Sequence, residues 1–238
     1  MIFASKEFYD QFSSHYHNYS IQRQCYLRKI DQLLLSTGKS ASSLIDVGCG
    51  YGDRSLKLAR SLNIGRVTLL DNSPCMLRYC NSQGHEKILL DISSNNFSVN
   101  KKFDMVLCLW NVLGHVETEE KRIVALKNMR NLLTENGKLY IDVNNRHNIS
   151  EYGYFSVIRN LFKSYFLFYR ETGDFLLKMK SGDAVLQTKV HIFTVYEMKR
   201  LIKESGLKMV QRKIINYQDG KEVRSVFQGQ LFFILSKK

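Results

Sequence analysis

The run Asp46-Val47-Gly48-Cys49-Gly50-Tyr51-Gly52 sets an acidic side chain two positions ahead of three glycines at alternate positions. Glycine at such spacing allows a sharp turn with positive φ and lets a ligand approach the backbone with no Cβ between. A second carboxylate, Asp71, ends the apolar run GRVTLLD, 25 positions after Asp46. At the carboxyl end of a strand, where open α/β sheets bind ligands, such a group can accept both hydroxyls of a ribose. A pyrophosphate site would show GxGxxG and aim a helix N-terminus at phosphate. This loop reads DxGxGxG instead.

These residues need a scaffold, and the flanking sequence supplies one. SLIDVG reads as a short strand and 53–62 as the helix after it; GRVTLLD is a second strand, followed by a helix entered at Ser73-Pro74, where proline suits the first turn. KILL and FDMVLCLW are further strands, 119–133 a helix, and KLYIDVN a strand after an Asn136-Gly137 turn. Short apolar strands alternating with helices predict a doubly wound α/β domain whose parallel sheet is covered on both faces. After Asn148, LFYRET, DFLLKMK and AVLQTKVHIF alternate at period two, separated by Thr172-Gly173 and Ser181-Gly182, and read as an inserted antiparallel meander. Helical spacing marks 22–35 and 195–205, the latter ended by Gly206. KMVQRKIINY and QGQLFFILS close the chain as a hairpin joined through Asp219-Gly220.

The glycine loop is joined, in order, by VTLLDNSPCML, LLDIS, FDMVLCLWNVLGHV and NLLTENGKLYIDV. Over about 100 residues these resemble the first, second, third, fourth and post-fourth motifs of class I S-adenosylmethionine-dependent methyltransferases. A sulfonium amino acid has no phosphate to cradle but carries an ammonium group, which suits a nearby carboxylate. The resemblance implies S-adenosyl-L-methionine as cofactor, S-adenosyl-L-homocysteine as product and no metal. It sets Gly48, Cys49 and Gly50 along the methionine and ribose, with Asp46 near the amino group. It gives Asp71 to the ribose and places Asn72 and Met76 beside the adenine. Asp91 would meet the adenine amino group with Ile92 beside the ring, while Leu109, Trp110 and Asn111 would follow the methionine moiety.

Within that family the layout is most similar to small-molecule N- and O-methyltransferases such as the glycine and amino-sugar N-methyltransferases. Those carry an N-terminal helical lid with spaced tyrosines, here Tyr9, Tyr16 and Tyr19, and an antiparallel insertion after the fifth strand. HIFTVYEMKRLIKESGL resembles the entry to their last helix. The implied fold is α/β and Rossmann-like: a doubly wound, mostly parallel seven-stranded sheet in one methyltransferase domain over 1–238. Its parts are the lid (1–40), the cofactor-binding core (41–149), the inserted lid (150–194) and the last helix with the strand hairpin (195–238). No acceptor-binding residue of any one member can be matched, so the acceptor is not carried over.

Methyl transfer from a sulfonium is an in-line displacement that asks for orientation, near contact and exclusion of water. His115, in NVLGHV, is a candidate base, and a plain contact to cofactor or lid is the competing role. His191, before the last helix, could face the pocket or, like half the residues of such a strand, solvent. Tyr16 and Tyr19 could close over the sulfonium, where a ring face favours a cation; aromatic spacing in a helix also serves plain packing.

With 238 residues, 44% of them hydrophobic, the chain can bury a core without disulfides or metal. Its five cysteines form no CxxC pair, which leaves zinc and iron–sulfur chemistry unsupported. The N-terminus has no signal-like apolar run and no window is apolar enough to span a membrane, so a cytoplasmic location is expected. The net charge of +13 raises nucleic acid as a partner. It is spread, however, with 19 basic and 14 acidic residues in 1–150 and 16 and 8 in 151–238, and basic residues come at most in adjacent pairs. Two readings therefore stand beside methylation of a small molecule. One is an RNA or other macromolecular methyltransferase, opposed by WNVLG in place of the (D/N)PP(Y/F) that holds a flipped base amine. The other is a non-catalytic cofactor-binding protein, opposed by the intact Asp46, Gly48, Gly50 and Asp71. Oligomeric state has no signature in the sequence.

Overall fold

The computed structural model, which describes residues 2–16, 23–82, 84–166, 173–181 and 184–238, gathers most of the apolar runs into one eight-stranded sheet. In chain order the strands are β1 (Ser43–Val47), β2 (Arg66–Asp71), β3 (Glu86–Leu89), β4 (Phe103–Cys108), β5 (Leu133–Val143), β6 (Asp174–Ser181), β7 (Ala184–His191), β8 (Leu207–Ile215), β9 (Glu222–Val223) and β10 (Gln230–Lys237). The sheet order is β3-β2-β1-β4-β5-β10-β8-β9, parallel as far as β5, with β10 antiparallel to both of its neighbours; β6 and β7 pair separately. The helices are α1 (Ser5–Phe12), α2 (Gln24–Thr37), α3 (Asp53–Ser61), α4 (Pro74–Tyr79), α5 (Glu119–Leu132), α6 (Ile149–Tyr152), α7 (Tyr154–Phe166) and α8 (Val195–Glu204).

Successive side chains of a strand face opposite ways, so each central strand serves two cores. On β10, Leu231, Phe233 and Leu235 pack with Leu126 and Met129 of α5 and Met198 and Leu201 of α8. Phe232 and Ile234 turn to the other side, against Ile30 and Leu34 of α2 and Leu56 and Ala59 of α3. Both faces are covered, which is why these strands are mostly apolar. The strand order reverses between β1 and β4, and the crevice at their carboxyl ends is where such sheets take ligands. Local signals start and stop the helices around it. The Ser73 hydroxyl caps α4 by accepting the Met76 amide (3.0 Å), and Thr194 with Glu197 forms a reciprocal capping box on α8.

Several elements differ from expectation. The sheet has eight strands rather than seven, because the turn at Asp219-Gly220 folds Glu222–Val223 back on β8 as a short edge strand before β10 begins. Asn136-Gly137 makes no break: β5 runs through it, and the cost shows as a register shift against β4 between Phe103 and Met105. The insertion opens with α6 and α7, separated by Gly153 at φ +77°, instead of a strand. The expected strand LFYRET lies outside the described residues, as does Gly182 of the Ser181-Gly182 turn, and β6–β7 forms a two-stranded ribbon. Within 1–40, α1 packs against α4 and β7, whereas α2 belongs to a face of the sheet.

Asp104 at the start of β4 ties three strands together. Its Oδ2 accepts the amides and hydroxyls of Ser42 and Ser43 (2.8–3.1 Å), and its Oδ1 accepts the Thr134 hydroxyl (3.0 Å). Burial opposes ionisation there, but the bonds from Ser42, Ser43 and Thr134 outweigh it and bring the carboxyl down to about 2. A carboxyl lowered on folding stabilises the protein above its ordinary value of 3.8, and that stability is lost as pH falls towards 2. Urea titrations should therefore show a lower midpoint for Asp104→Asn at pH 7 and a smaller decline for it than for the wild type between pH 4 and pH 2.

Candidate active site

The glycine loop leaves β1 with Gly48, Gly50 and Gly52 at φ +73°, +55° and +73°, a region that glycine enters without a Cβ penalty. Its amides are held from the end of β2: Gly48 and Cys49 both donate to the Leu70 carbonyl (2.8 and 3.0 Å), and Gly50 donates to Asp71 Oδ2 (2.9 Å). Asp71 Oδ1 accepts the Ser73 amide (2.9 Å), so one carboxylate anchors both turns. Burial raises the Asp71 carboxyl against these bonds. A Cβ at Gly48 would stand 2.6 Å from the Val112 methyls, leaving room for backbone alone. Beside the loop lies a cavity with about 1060 Å³ of space, part of it open to solvent.

The cavity collects most of the residues singled out from the sequence. Gly48, Gly50, Asp71, Asn72, Met76, Asp91 and Ile92 line one part; Leu109, Trp110, Asn111, His115 and Tyr16 line the rest. Asp71 stands on the wall with its carboxylate turned to the loop amides, and Met76, Leu90 and Ile92 form an apolar slot with Asp91 among them. Carboxylate, bare glycine backbone and slot fit the ribose, amino acid chain and purine of S-adenosylmethionine. The Tyr9 hydroxyl lies 3.0 Å from His115 Nε2, while His115 Nδ1 is buried with no hydrogen-bond partner among the described residues.

Three expected site residues stand elsewhere, and one is not described. Asp46 lies behind the loop, where it accepts the Ser55 hydroxyl of α3 and burial raises it to about 6; its neighbour Val47 reaches the wall. Cys49 turns its thiol to the Gly50 carbonyl (3.6 Å) and is not on the wall. His191 is fully enclosed, with Nδ1 2.7 Å from Asp174 and Nε2 2.7 Å from Glu197, so both ring nitrogens are committed to structure and neither faces a substrate. Tyr19 lies outside the described residues.

Asp142 lies in the post-fourth motif NLLTENGKLYIDV but was given no role there, yet it holds the wall after β4. Trp110 and Asn111 sit at φ +57° and +60°, a conformation costing on the order of 1–3 kcal/mol for a non-glycine residue. Asp142 Oδ1 accepts the Trp110 amide (2.6 Å), its Oδ2 accepts the Tyr26 hydroxyl (2.7 Å), and its carbonyl accepts the Asn111 amide (3.1 Å). The Asn111 side chain accepts the Asn144 amide (2.9 Å), and the Trp110 indole donates to Tyr217 (3.0 Å). An acid in the apolar strand LYIDV was the available signal.

Parts of the chain are similar to known proteins. Residues 44–137 match the methyltransferase domain family. Over 87 residues the chain is 31% identical to dTDP-3-amino-3,6-dideoxy-alpha-D-glucopyranose N,N-dimethyltransferase of Streptomyces fradiae, covering 37% of this chain and 33% of that one. Over 120 residues it is 32% identical to glycine/sarcosine N-methyltransferase of Parasynechococcus marenigrum, covering 48% and 42%. The aligned parts thus span well under half of these relatives. A solved S-adenosylmethionine-dependent methyltransferase from Clostridium acetobutylicum superposes with a TM-score of 0.67 at 16% identity, over 96% of this chain and 98% of that one, which establishes the fold as that of this class.

Burial lowers His115, on the cavity wall, from 6.5 to about 4. Such a group is neutral when folded and charged when unfolded below its ordinary value, so its contribution is present above pH 6.5 and lost as pH falls towards 4. Nitrogen-detected NMR should find the His115 ring neutral at pH 5.5. His115→Gln should lose less stability than the wild type between pH 6.5 and pH 4, and a His115 midpoint near 6.5 would contradict this burial.

Proposed function

We propose that the chain transfers a methyl group from S-adenosyl-L-methionine to a nitrogen or oxygen of a small molecule. The observation that carries the reading is the convergence of the glycine loop, the Asp71 carboxylate and the Met76–Ile92 slot on one cavity that continues beneath α1 and the β6–β7 ribbon. When bound, the cofactor supplies a methyl group activated by a sulfonium. Asp71 receives the two ribose hydroxyls, Gly48 and Gly50 let the amino acid chain lie on the backbone, and Met76 and Ile92 enclose the purine with Asp91 at its amino edge. Asp46 supports the loop from behind.

The remaining residues orient the acceptor and keep water out. Holding two reactants in line is worth up to roughly 7–11 kcal/mol, whereas a positioned base contributes about 10²- to 10⁴-fold, or roughly 3–5 kcal/mol. Orientation therefore dominates. A neutral His115 with a value near 4 is a weak base at pH 7. It serves best as a hydrogen-bond partner that, with Tyr9, aims the acceptor, and this favours an amine arriving deprotonated over a hydroxyl. Tyr16, which contacts the Trp110 ring (5.8 Å between centroids), closes the reaction space. With α1 and the β6–β7 ribbon over it, the cavity also favours a small acceptor over RNA.

S-adenosylhomocysteine should raise the melting temperature of the wild type, since a ligand of the native state stabilises it. Asp71→Asn should bind it about 10- to 100-fold more weakly, the loss of about 1.5–3 kcal/mol expected for a bond to a charged group. Labelled methyl from S-adenosylmethionine should enter the small-metabolite fraction of a cell extract; label in RNA instead would overturn the choice of acceptor.

A further inference from the structure

The β6–β7 ribbon sorts its side chains by charge. Its register pairs Phe175 with Val190, Leu177 with Thr188 and Met179 with Leu186, so these six share one face. Leu177, Met179 and Val190 line the cavity, and Leu186 packs against Phe8 and Phe12 of α1. Lys178, Lys180 and Lys189 fall on the opposite face and are exposed. A one-residue alternation thus gives the cavity an apolar roof and sends the lysines of the ribbon to solvent.

The other walls continue the pattern. Around His115 the cavity is bounded by Tyr9, Tyr16, Trp110, Val116 and Tyr217. Among the described residues lining it, the charged side chains are Asp71 and Asp91, both acidic. A carboxylate or phosphate on an acceptor packed under the roof would shed water and meet no cation from these walls. Lys6 and Lys121, in the adjoining pocket that shares His115, already pair with Asp10 and Glu117 (3.0 and 2.7 Å).

We infer that the acceptor is a lipophilic amine, one whose hydrocarbon or aromatic body packs under Leu177, Met179 and Val190 while its nitrogen sits beside Tyr9 and His115. The inference rests on the methyl-transfer reading and adds the acceptor's chemical class. The nitrogen lone pair forms the new N–C bond as the S–C bond of the sulfonium breaks, its electron pair staying on sulfur, and the proton of the resulting alkylammonium passes to water. The apolar roof discriminates by burial: a single methylene in such a pocket is worth about 10-fold or more in kcat/KM.

The test uses the full chain saturated with S-adenosylhomocysteine, whose own thermal shift is recorded first. Phenethylamine, cyclohexylamine and octylamine are then compared with glycine and dTDP for a further shift, and the amines and glycine for labelled methyl transfer. At least one lipophilic amine should add a shift and be methylated with kcat/KM about tenfold or more above glycine. Met179→Arg should lower that value about tenfold while keeping the S-adenosylhomocysteine shift, and Leu177→Ala should lower it without adding charge. The inference is overturned if the cofactor product stabilises the protein but none of the three amines does, or if glycine is the better substrate or dTDP the stronger stabiliser. Absence of the S-adenosylhomocysteine shift instead defeats the methyl-transfer reading itself.

Discussion

A loop of alternating glycines has no conformation of its own, because each glycine enters positive and negative φ with similar ease. What gives the loop after β1 a single shape is the end of β2: the Leu70 carbonyl takes two of its amides and the Asp71 carboxylate takes a third. Ordering one residue costs roughly 1–2 kcal/mol, and these bonds return about 0.5–1.5 kcal/mol each at the carbonyl and about 1.5–3 kcal/mol at the carboxylate, which offsets part of the cost of ordering the loop. Asp71 also holds Ser73 at the entry to α4, so the two turns that form one side of the cavity move as a unit. The parallel register of β1 and β2, Asp46 beside Leu69 and Val47 beside Leu70, is what brings that carboxylate to the glycines.

Asp142 repeats the arrangement on the other side of the strand-order reversal. It fixes the positive φ of Trp110 and reaches across to Tyr26 of α2, so the wall near His115 is braced from a helix on the far face of the sheet. Buried carboxylates of this kind are expensive unless satisfied, and Asp71 and Asp142 are both satisfied by backbone amides of the loops they shape. The Asp174–His191–Glu197 chain acts differently. Together with Arg146, which bonds to the Ile192 carbonyl (3.1 Å) and Glu197 (3.4 Å), it pins the ribbon to α8. That chain positions the roof without entering the cavity.

Much of the glycine-loop side of the cavity was legible because its determinants are local. Gly48, Gly50, Asp71, Asn72, Asp91 and Leu109 sit at strand ends that short apolar runs announce, and strand ends are where such a sheet binds. The two-faced packing was equally plain in runs such as QLFFILS. What escaped depends on distant partners. His191 looks available in sequence and is enclosed because Asp174 and Glu197, 17 and 6 positions away, converge on it. Asn136-Gly137 has the composition of a turn, but pairing with β4 carries the strand through it. The division of α6 and α7 from the ribbon had no turn signal that the period-two pattern did not also satisfy.

The structure of the complex with S-adenosylhomocysteine would decide whether this cavity is the cofactor site. The ligand should lie beside Gly48 and Gly50, with its ribose hydroxyls within hydrogen-bond distance of Asp71, its purine against Met76 and Ile92, and its sulfur turned towards the space bounded by Tyr16 and His115. A ligand bound elsewhere, or a cavity still empty at saturating S-adenosylhomocysteine, would contradict that assignment.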